Sequence, residues 1–237
     1  MIKLQKKIFL IVCFFLFSSL NLCSQSEPLS VVGKTLNKKD KNCTYNIEYP
    51  ILRLGKNSPH NVEVIKSIGK TLIDDFTKLD LYENEYECNK KDKNAPAFSV
   101  NAGFEVKLLN TSILSIRSSF SSYLEGSAHP NNISKAYNFD LKTGQQIPFE
   151  SLFKKDSKFL IPLHKFMAES LVKDKTISDK EEFISAKKSK YDYYLSPKGI
   201  HIINLFDIYA IQSAEVLVPY EKIKKYLDTE NTFNFIQ

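Results

Sequence analysis

Three strand-length segments follow one another between Phe98 and Phe139, and they constrain the fold more than any other feature of the chain. Phe98 to Leu109, Ile113 to Tyr123 and Ile133 to Phe139 carry the alternation and β-branched or aromatic content of strands. Asn110-Thr111-Ser112 is short enough to join the first two as a hairpin. Asp140-Leu141-Lys142-Thr143-Gly144 closes the series as a tight turn, with glycine where positive φ is needed. Strands joined this closely pair antiparallel.

Elements on either side set the class. Tyr45, Ile47 and Tyr49 alternate on one face of a further strand that Pro50 is expected to stop. Ser58-Pro59 is expected to open a helix with Ser58 as its N-cap, and Ile65, Ile68, Leu72, Phe76 and Leu79 then share one face. Residues 83–96 are charged and read as a loop. Pro162 marks another helix start, with Leu163, Phe166, Met167 and Leu171 as its apolar stripe. Ser178 and Glu181 read as the capping box of a short helix. Tyr191 to Leu195 and Ile200 to Phe206 flank Ser196-Pro197-Lys198-Gly199 as a hairpin. Ala214 to Val218 is a last strand, and Pro219 opens a last helix. Strands and helices do not alternate regularly and no repeat is visible. The expected class is α+β: an antiparallel sheet with helices packed on it, in two closely associated subdomains. The expected divisions are a signal peptide (1–26), a polar tether (27–42), an N-terminal subdomain (43–109) and a C-terminal subdomain (110–237).

The N-terminus speaks about destination. Lys3, Lys6 and Lys7 precede an uncharged apolar run from Ile8 to Phe17, and a small, polar stretch follows to Ser26. That order is a secretory signal peptide, and the run is short of the roughly 20 residues of a membrane span. Two processing routes fit. Leu20-Asn21-Leu22-Cys23 resembles a bacterial lipobox with Cys23 as the lipidated residue, although Leu22 is bulky for it. Ser24-Gln25-Ser26 suits ordinary cleavage. Three lysines and no acid leave with residues 1–26, so the net charge falls from +6 to +3. Half the basicity is targeting, and nucleic-acid binding loses its support. The expected location is the periplasm or the membrane-anchored envelope, with a possible lipid anchor.

Of the 4 cysteines, Cys43 and Cys88 lie beyond the signal region. As an even pair in an oxidising compartment they would close a loop of 44 residues as a disulfide. Such a bridge contributes about 3–4 kcal/mol. Two unpaired buried thiols are the other reading.

Catalytic patterns are sparse. With 7 glycines there is no glycine-rich phosphate cradle, and no GxSxG elbow occurs. Ser127, His129 and Asp140 lack a workable nucleophile–base spacing. His60, His129, His164 and His201 show no metal-ligand spacing. Asp74-Asp75 and Glu181-Glu182 are neighbours on helices and point apart. Glu150 has no partner in the sequence. We expect no enzyme, no metal and no cofactor. Recognition has two candidate elements. One is the loop Glu125–Asn132, with Gly126, Ser127, His129, Pro130 and Asn131 as its binding residues. The other is the group Tyr191, Tyr193 and Tyr194, which suits protein hot spots or sugar stacking if exposed and fills a tryptophan-free core if buried.

Several stretches resemble one family in order and spacing. Tyr45-Asn46-Ile47-Glu48-Tyr49-Pro50, followed by Asn61 and Ile65, looks like the start of its N-terminal part. Gly126-Ser127-Ala128-His129-Pro130 is similar to its GGAH loop. Asn138 to Gly144 with Ile147 to Phe153 resembles its D-x-x-T-G … L-x-D-L-F stretch. Tyr209-Ala210 and Val216 to Tyr220 resemble its closing strand and helix. The family is the extracytoplasmic domain of unknown function found in the anti-sigma factor RsiV and beside the deacetylase domain of PdaC. The resemblance spans roughly residues 43–228. It implies a non-enzymatic binding domain of the bacterial envelope, one that binds lysozyme in RsiV and accompanies a peptidoglycan-modifying enzyme in PdaC. Only seven residues precede the apolar run and no deacetylase stretch follows, so a stand-alone module is expected. Ser127 replaces the second loop glycine, and Gln212-Ser213 stands where the family often has a glycine. The expected partner is a lysozyme-like protein or peptidoglycan. A cell-wall glycan hydrolase centred on His129 and Asp140, and an immunity or inhibitor protein against a secreted toxin, are the competing readings.

Overall fold

The computed structural model describes residues 29–40, 42–78, 95–187, 190–207, 211 and 213–229. The signal region with Cys23, and Leu79, Cys88, Tyr209-Ala210 and Gln212, lie outside them.

A five-stranded sheet runs in the order β1 (Leu29–Asp40), β2 (Cys43–Leu54), β3 (Phe98–Leu109), β4 (Ile113–Leu124), β5 (Asn131–Asp140). Every pairing is antiparallel except β2 with β3, which run parallel from Cys43↔Phe98 to Ile47↔Ala102. A parallel pair needs a crossover, and helix α1 (Val62–Thr77) lies on that connection. Ile65, Ile68, Leu72 and Phe76 of α1 are buried on the sheet. Phe76 meets Phe104, Phe120 and Tyr137 at centroid distances of 6.3, 5.3 and 6.1 Å.

A three-stranded sheet follows, β6 (Asp192–Ser196), β7 (Gly199–Ile203) and β8 (Val216–Pro219), all antiparallel. Its inner face packs on α2 (Leu160–Lys173) and α3 (Lys180–Ala186) in a second core that includes Leu163, Met167, Phe183, Leu195 and Ile202. A short helix, α4 (Tyr220–Ile223), follows β8, with Pro219 at its N-cap as expected.

The strands β3, β4 and β5 stand where the alternation places them, and Asn110 Oδ1 accepts from the amides of Ser112 and Ile113 in the turn. At Gly144 φ is +76°, and a Cβ there would lie 3.1 Å from Val64 of α1. Glycine both permits the turn and lets it rest on the helix.

Four expectations need correction. Residues 29–40 are not a tether: they form β1, twelve residues paired with β2 from Leu29↔Leu54 to Asp40↔Cys43. Its lysines read as a solvated linker because an edge strand tolerates them. Pro50 does not stop β2, which pairs it with Gly33. Since β3 leaves β2 at Ile47, a residue without an N–H is tolerated there. The α1 cap is Asn61, whose Oδ1 accepts from Glu63 and Val64, while Ser58 Oγ accepts from His60. The α3 cap is Asp179, whose Oδ1 accepts from the Glu182 amide while the Glu182 carboxylate accepts from Ser178 N. The larger core takes buried residues from Leu29 to Leu141. Cys43 is fully buried.

The two sheets meet through two buried polar side chains. Ser115 Oγ donates to Asn138 Oδ1 (2.7 Å) and accepts from Leu195 N (2.9 Å), and Asn138 Nδ2 donates to Tyr193 O (2.6 Å). Replacing Asn138 by alanine should cost about 2–3 kcal/mol, because it strands buried partners on both sheets. Asn61→Ala, which removes an exposed cap, should cost about 1 kcal/mol. Urea denaturation of the two variants checks the order.

Candidate functional site

Outward side chains of β4 change character along the strand. Ile113 belongs to the second core, Ser115 joins the sheets, and Arg117 is ion-paired to Glu215 at 3.2 Å. Ser119, Ser121 and Tyr123 then lead away from the smaller sheet to the β4–β5 loop. Two places on this face carry candidate chemistry.

The first is the loop expected for recognition. Gly126 has φ +89°, and the Ser127 amide donates to Leu124 O at 2.9 Å. Glu125 ties the loop to the start of β3: its amide donates to Ala97 O (2.8 Å) and its carboxylate accepts from Ala97 N (2.9 Å). Gly126, His129, Pro130 and Asn131 are exposed and Ser127 is half-buried. His129 Nδ1 lies 3.3 Å from Pro130 O. A polar, backbone-anchored loop is thus presented at one end of the sheet. Asp140 is at the far end of β5 from it and accepts from Lys142 N in its own turn (2.7 Å). The His129–Asp140 centre of a hydrolase is not assembled.

The tyrosines are not brought to that loop. Tyr193 and Tyr194 are 5% and 2% exposed. Tyr191 and Tyr193 share a face as expected, and both pack edge-on to Phe149 at 5.5 and 5.3 Å. The Tyr193 hydroxyl donates to Ile147 O, and the Tyr191 hydroxyl is 2.7 Å from His164 Nε2. Burial pushes the Tyr191 phenol up to about 12, and burial followed by the charge of Lys187 holds His164 below its ordinary value. These rings do the work of core aromatics in a chain with no tryptophan.

The second place was missed from the sequence. Tyr194 stands opposite His201 across the β6–β7 pair, and their rings stack at 4.4 Å and 13°. Glu215, just before β8, collects both: its Oε1 accepts from the Tyr194 hydroxyl and lies 2.7 Å from His201 Nδ1, while Oε2 meets Arg117. His201 Nε2 is 3.0 Å from Ser196 Oγ. Lys107 Nζ lies 5.3 Å from the Tyr194 ring centre. The hairpin turn at Ser196–Gly199 fixes the 194/201 pairing, so the register of that turn is the signal that could have found the cluster.

Burial pushes the Glu215 carboxyl up, but the hydrogen bonds from His201 and Tyr194 and the Arg117 charge outweigh it and hold the group below its usual value. A carboxyl depressed in the folded state adds stability above the ordinary carboxylate range and loses it as pH falls through the folded value. Glu215→Gln should therefore cost about 1–2 kcal/mol at pH 7 and flatten the loss of stability toward pH 3. Urea titrations at the two pH values check this; an unchanged pH slope would show that Glu215 is not the responsible acid.

Comparison with known proteins matches residues 36–132 to the family model described as deacetylase PdaC. That stretch runs from β1 to the first residues of β5 and includes the recognition loop, but none of Ser196, His201 and Glu215. No curated protein matches the chain. Among solved structures, a DUF3298 family member from Bacteroides fragilis superposes with a TM-score of 0.57 at 18% identity, covering 88% of this chain and 97% of that one. A DUF3298 family protein from Pseudomonas aeruginosa gives 0.53 at 12% identity, covering 84% and 94%. The chain therefore has the DUF3298 fold, with a PdaC-like segment in its larger sheet.

Proposed function

We propose that this protein is an exported binding module of the bacterial envelope that recognises a lysozyme-like protein or peptidoglycan and does not turn it over. The observation that carries the reading is the Glu125–Asn132 loop, exposed, polar and tied through Glu125 to the start of β3, within the segment similar to PdaC. The n/h/c order of residues 1–26 supports export, with lipidation at Cys23 or cleavage after Ser26 as the two routes. A Cys43–Cys88 bridge belongs to the same proposal. The DUF3298 fold supports a domain of this class without naming its ligand.

One observation favours a hydrolase instead. Ser196 Oγ, His201 Nε2 and Nδ1 and Glu215 Oε1 lie in series at 3.0 and 2.7 Å, the order of a nucleophile, base and orienting acid. Against it, Ser196 is 8% exposed, and its hydroxyl is occupied in the hairpin turn by Lys198 N and Gly199 O. The series serves the turn in our reading.

A pull-down of the mature protein against lysozyme and purified peptidoglycan tests the proposal. Retention by one of them is expected, with His129→Ala weakening it a few-fold and no acetate or sugar released. Release of either product that stops in Ser196→Ala would overturn the binding reading in favour of the enzyme.

A further inference from the structure

The side of the five-stranded sheet opposite α1 is open beyond Arg117. Register places Thr44 and Asn46 of β2, Ser99 and Asn101 of β3 and Ser119 and Ser121 of β4 in adjoining rows on it. Asn132 continues the Ser121 row onto β5. All seven side chains are exposed or half-buried, and none bonds to another described side chain or backbone group. Tyr123 stands on the same face at its upper end and is 40% exposed, the most exposed aromatic ring among the described residues. The loop that begins at Glu125 borders it.

Two properties set this face apart from an ordinary solvated sheet surface. Its eight named positions carry no charge, and the charges on this side, Lys39 beside Thr44 and Glu48 two residues beyond Asn46, stand at its β1–β2 margin. Those positions also carry no long side chain except Tyr123, so donors and acceptors sit close to the backbone plane. They recur about every 4.8 Å across strands and about every 6.7 Å along them. A nucleic acid or an acidic peptide would find no cation among these positions and would meet Glu48 as well as Lys39 at the margin. Protein hot spots are rich in tryptophan, tyrosine and arginine and poor in serine and threonine, the reverse of this surface. An apolar partner would leave the hydroxyls and amides unpaired. A neutral polymer that offers hydroxyls and amides at short intervals satisfies them, and an aromatic ring at the end of the row supplies a stacking plate.

We propose that this face binds a neutral glycan bearing hydroxyl and acetamido groups. Tyr123 stacks on one sugar ring, and the amides of Asn46, Asn101 and Asn132 pair with acetamido groups, each offering the donor and acceptor such a group requires. The proposal rests on the binding-module reading and names the ligand and the surface within it.

Titration of the mature protein with N-acetylglucosamine tetramer, followed by calorimetry and by the NMR signals of the face, tests it. Binding is expected, with shifts centred on Asn101 and Ser121. Tyr123→Ala should weaken it about tenfold, and Asn101→Lys, which puts a long charged side chain on an exposed position, should abolish it without unfolding. A protein that ignores the tetramer at millimolar concentration, or binds it equally well in both variants, would overturn the glycan face. If that protein is still retained by lysozyme or peptidoglycan, the module reading stands and only the face falls. Retention by neither, with no tetramer bound, removes both.

Discussion

Two buried side chains hold the halves of this molecule together. β6 is the edge of a three-stranded sheet, and an edge presents amides and carbonyls that need partners once buried. β6 lies where Ser115 and Asn138 project from β4 and β5, so it finds side chains there rather than a backbone ladder. Ser115 and Asn138, opposite one another in the β4–β5 pairing, act as adapters: one accepts the Leu195 amide, the other donates to the Tyr193 carbonyl, and each satisfies the other. Asn204 extends the seam by donating to Ser134 O (2.7 Å) and to the Asp192 carboxylate (2.9 Å). Where that contact ends, the face above it is free.

The larger sheet therefore has three environments on two sides. One side is covered by α1 and is apolar. The lower part of the other is covered by the smaller sheet, first with Ile113 and Leu108 in its core and then with the Arg117–Glu215 pair at its margin. The upper part meets solvent. A strand buried on both sides at one end and on one side at the other has no single hydrophobic pattern, which is visible in β4: Ile113 to Ile116 are all buried, and alternation begins only afterwards.

That mixture explains what the sequence could tell. The β3–β4–β5 meander was legible because its turns are short and use side chains suited to turns. The face of α1 was legible because its spacing is regular. β1 was not, because nothing in its lysine-rich residues announces a strand until β2 is known to need a partner. The cap of α1 was misplaced because Ser58 and Asn61 are both good caps, and only the geometry of the first turn chooses. The tyrosines at 191–194 could be exposed or buried on composition alone; the surrounding phenylalanines bury them. Ser196, His201 and Glu215 are separated in sequence by 5 and 14 residues and meet only through hairpin register. The sugar-facing rows were invisible for the same reason: serine, threonine and asparagine signal loops until strands align them.

The parallel contact between β2 and β3 bears on how the chain assembles. β1 with β2 is a near-continuous antiparallel ribbon, and β3 to β5 form a second ribbon, each made of neighbours in sequence. Joining them requires closure of the long segment that contains α1, for a contact of only five residue pairs. Local ribbons form before such a closure is rewarded. The residues at that joint, Tyr45 and Ile47 on one side and Phe98 and Val100 on the other, are all buried. They are the point at which two ribbons, each built from neighbours in sequence, become one sheet, and the pairing with the longest loop to close in it.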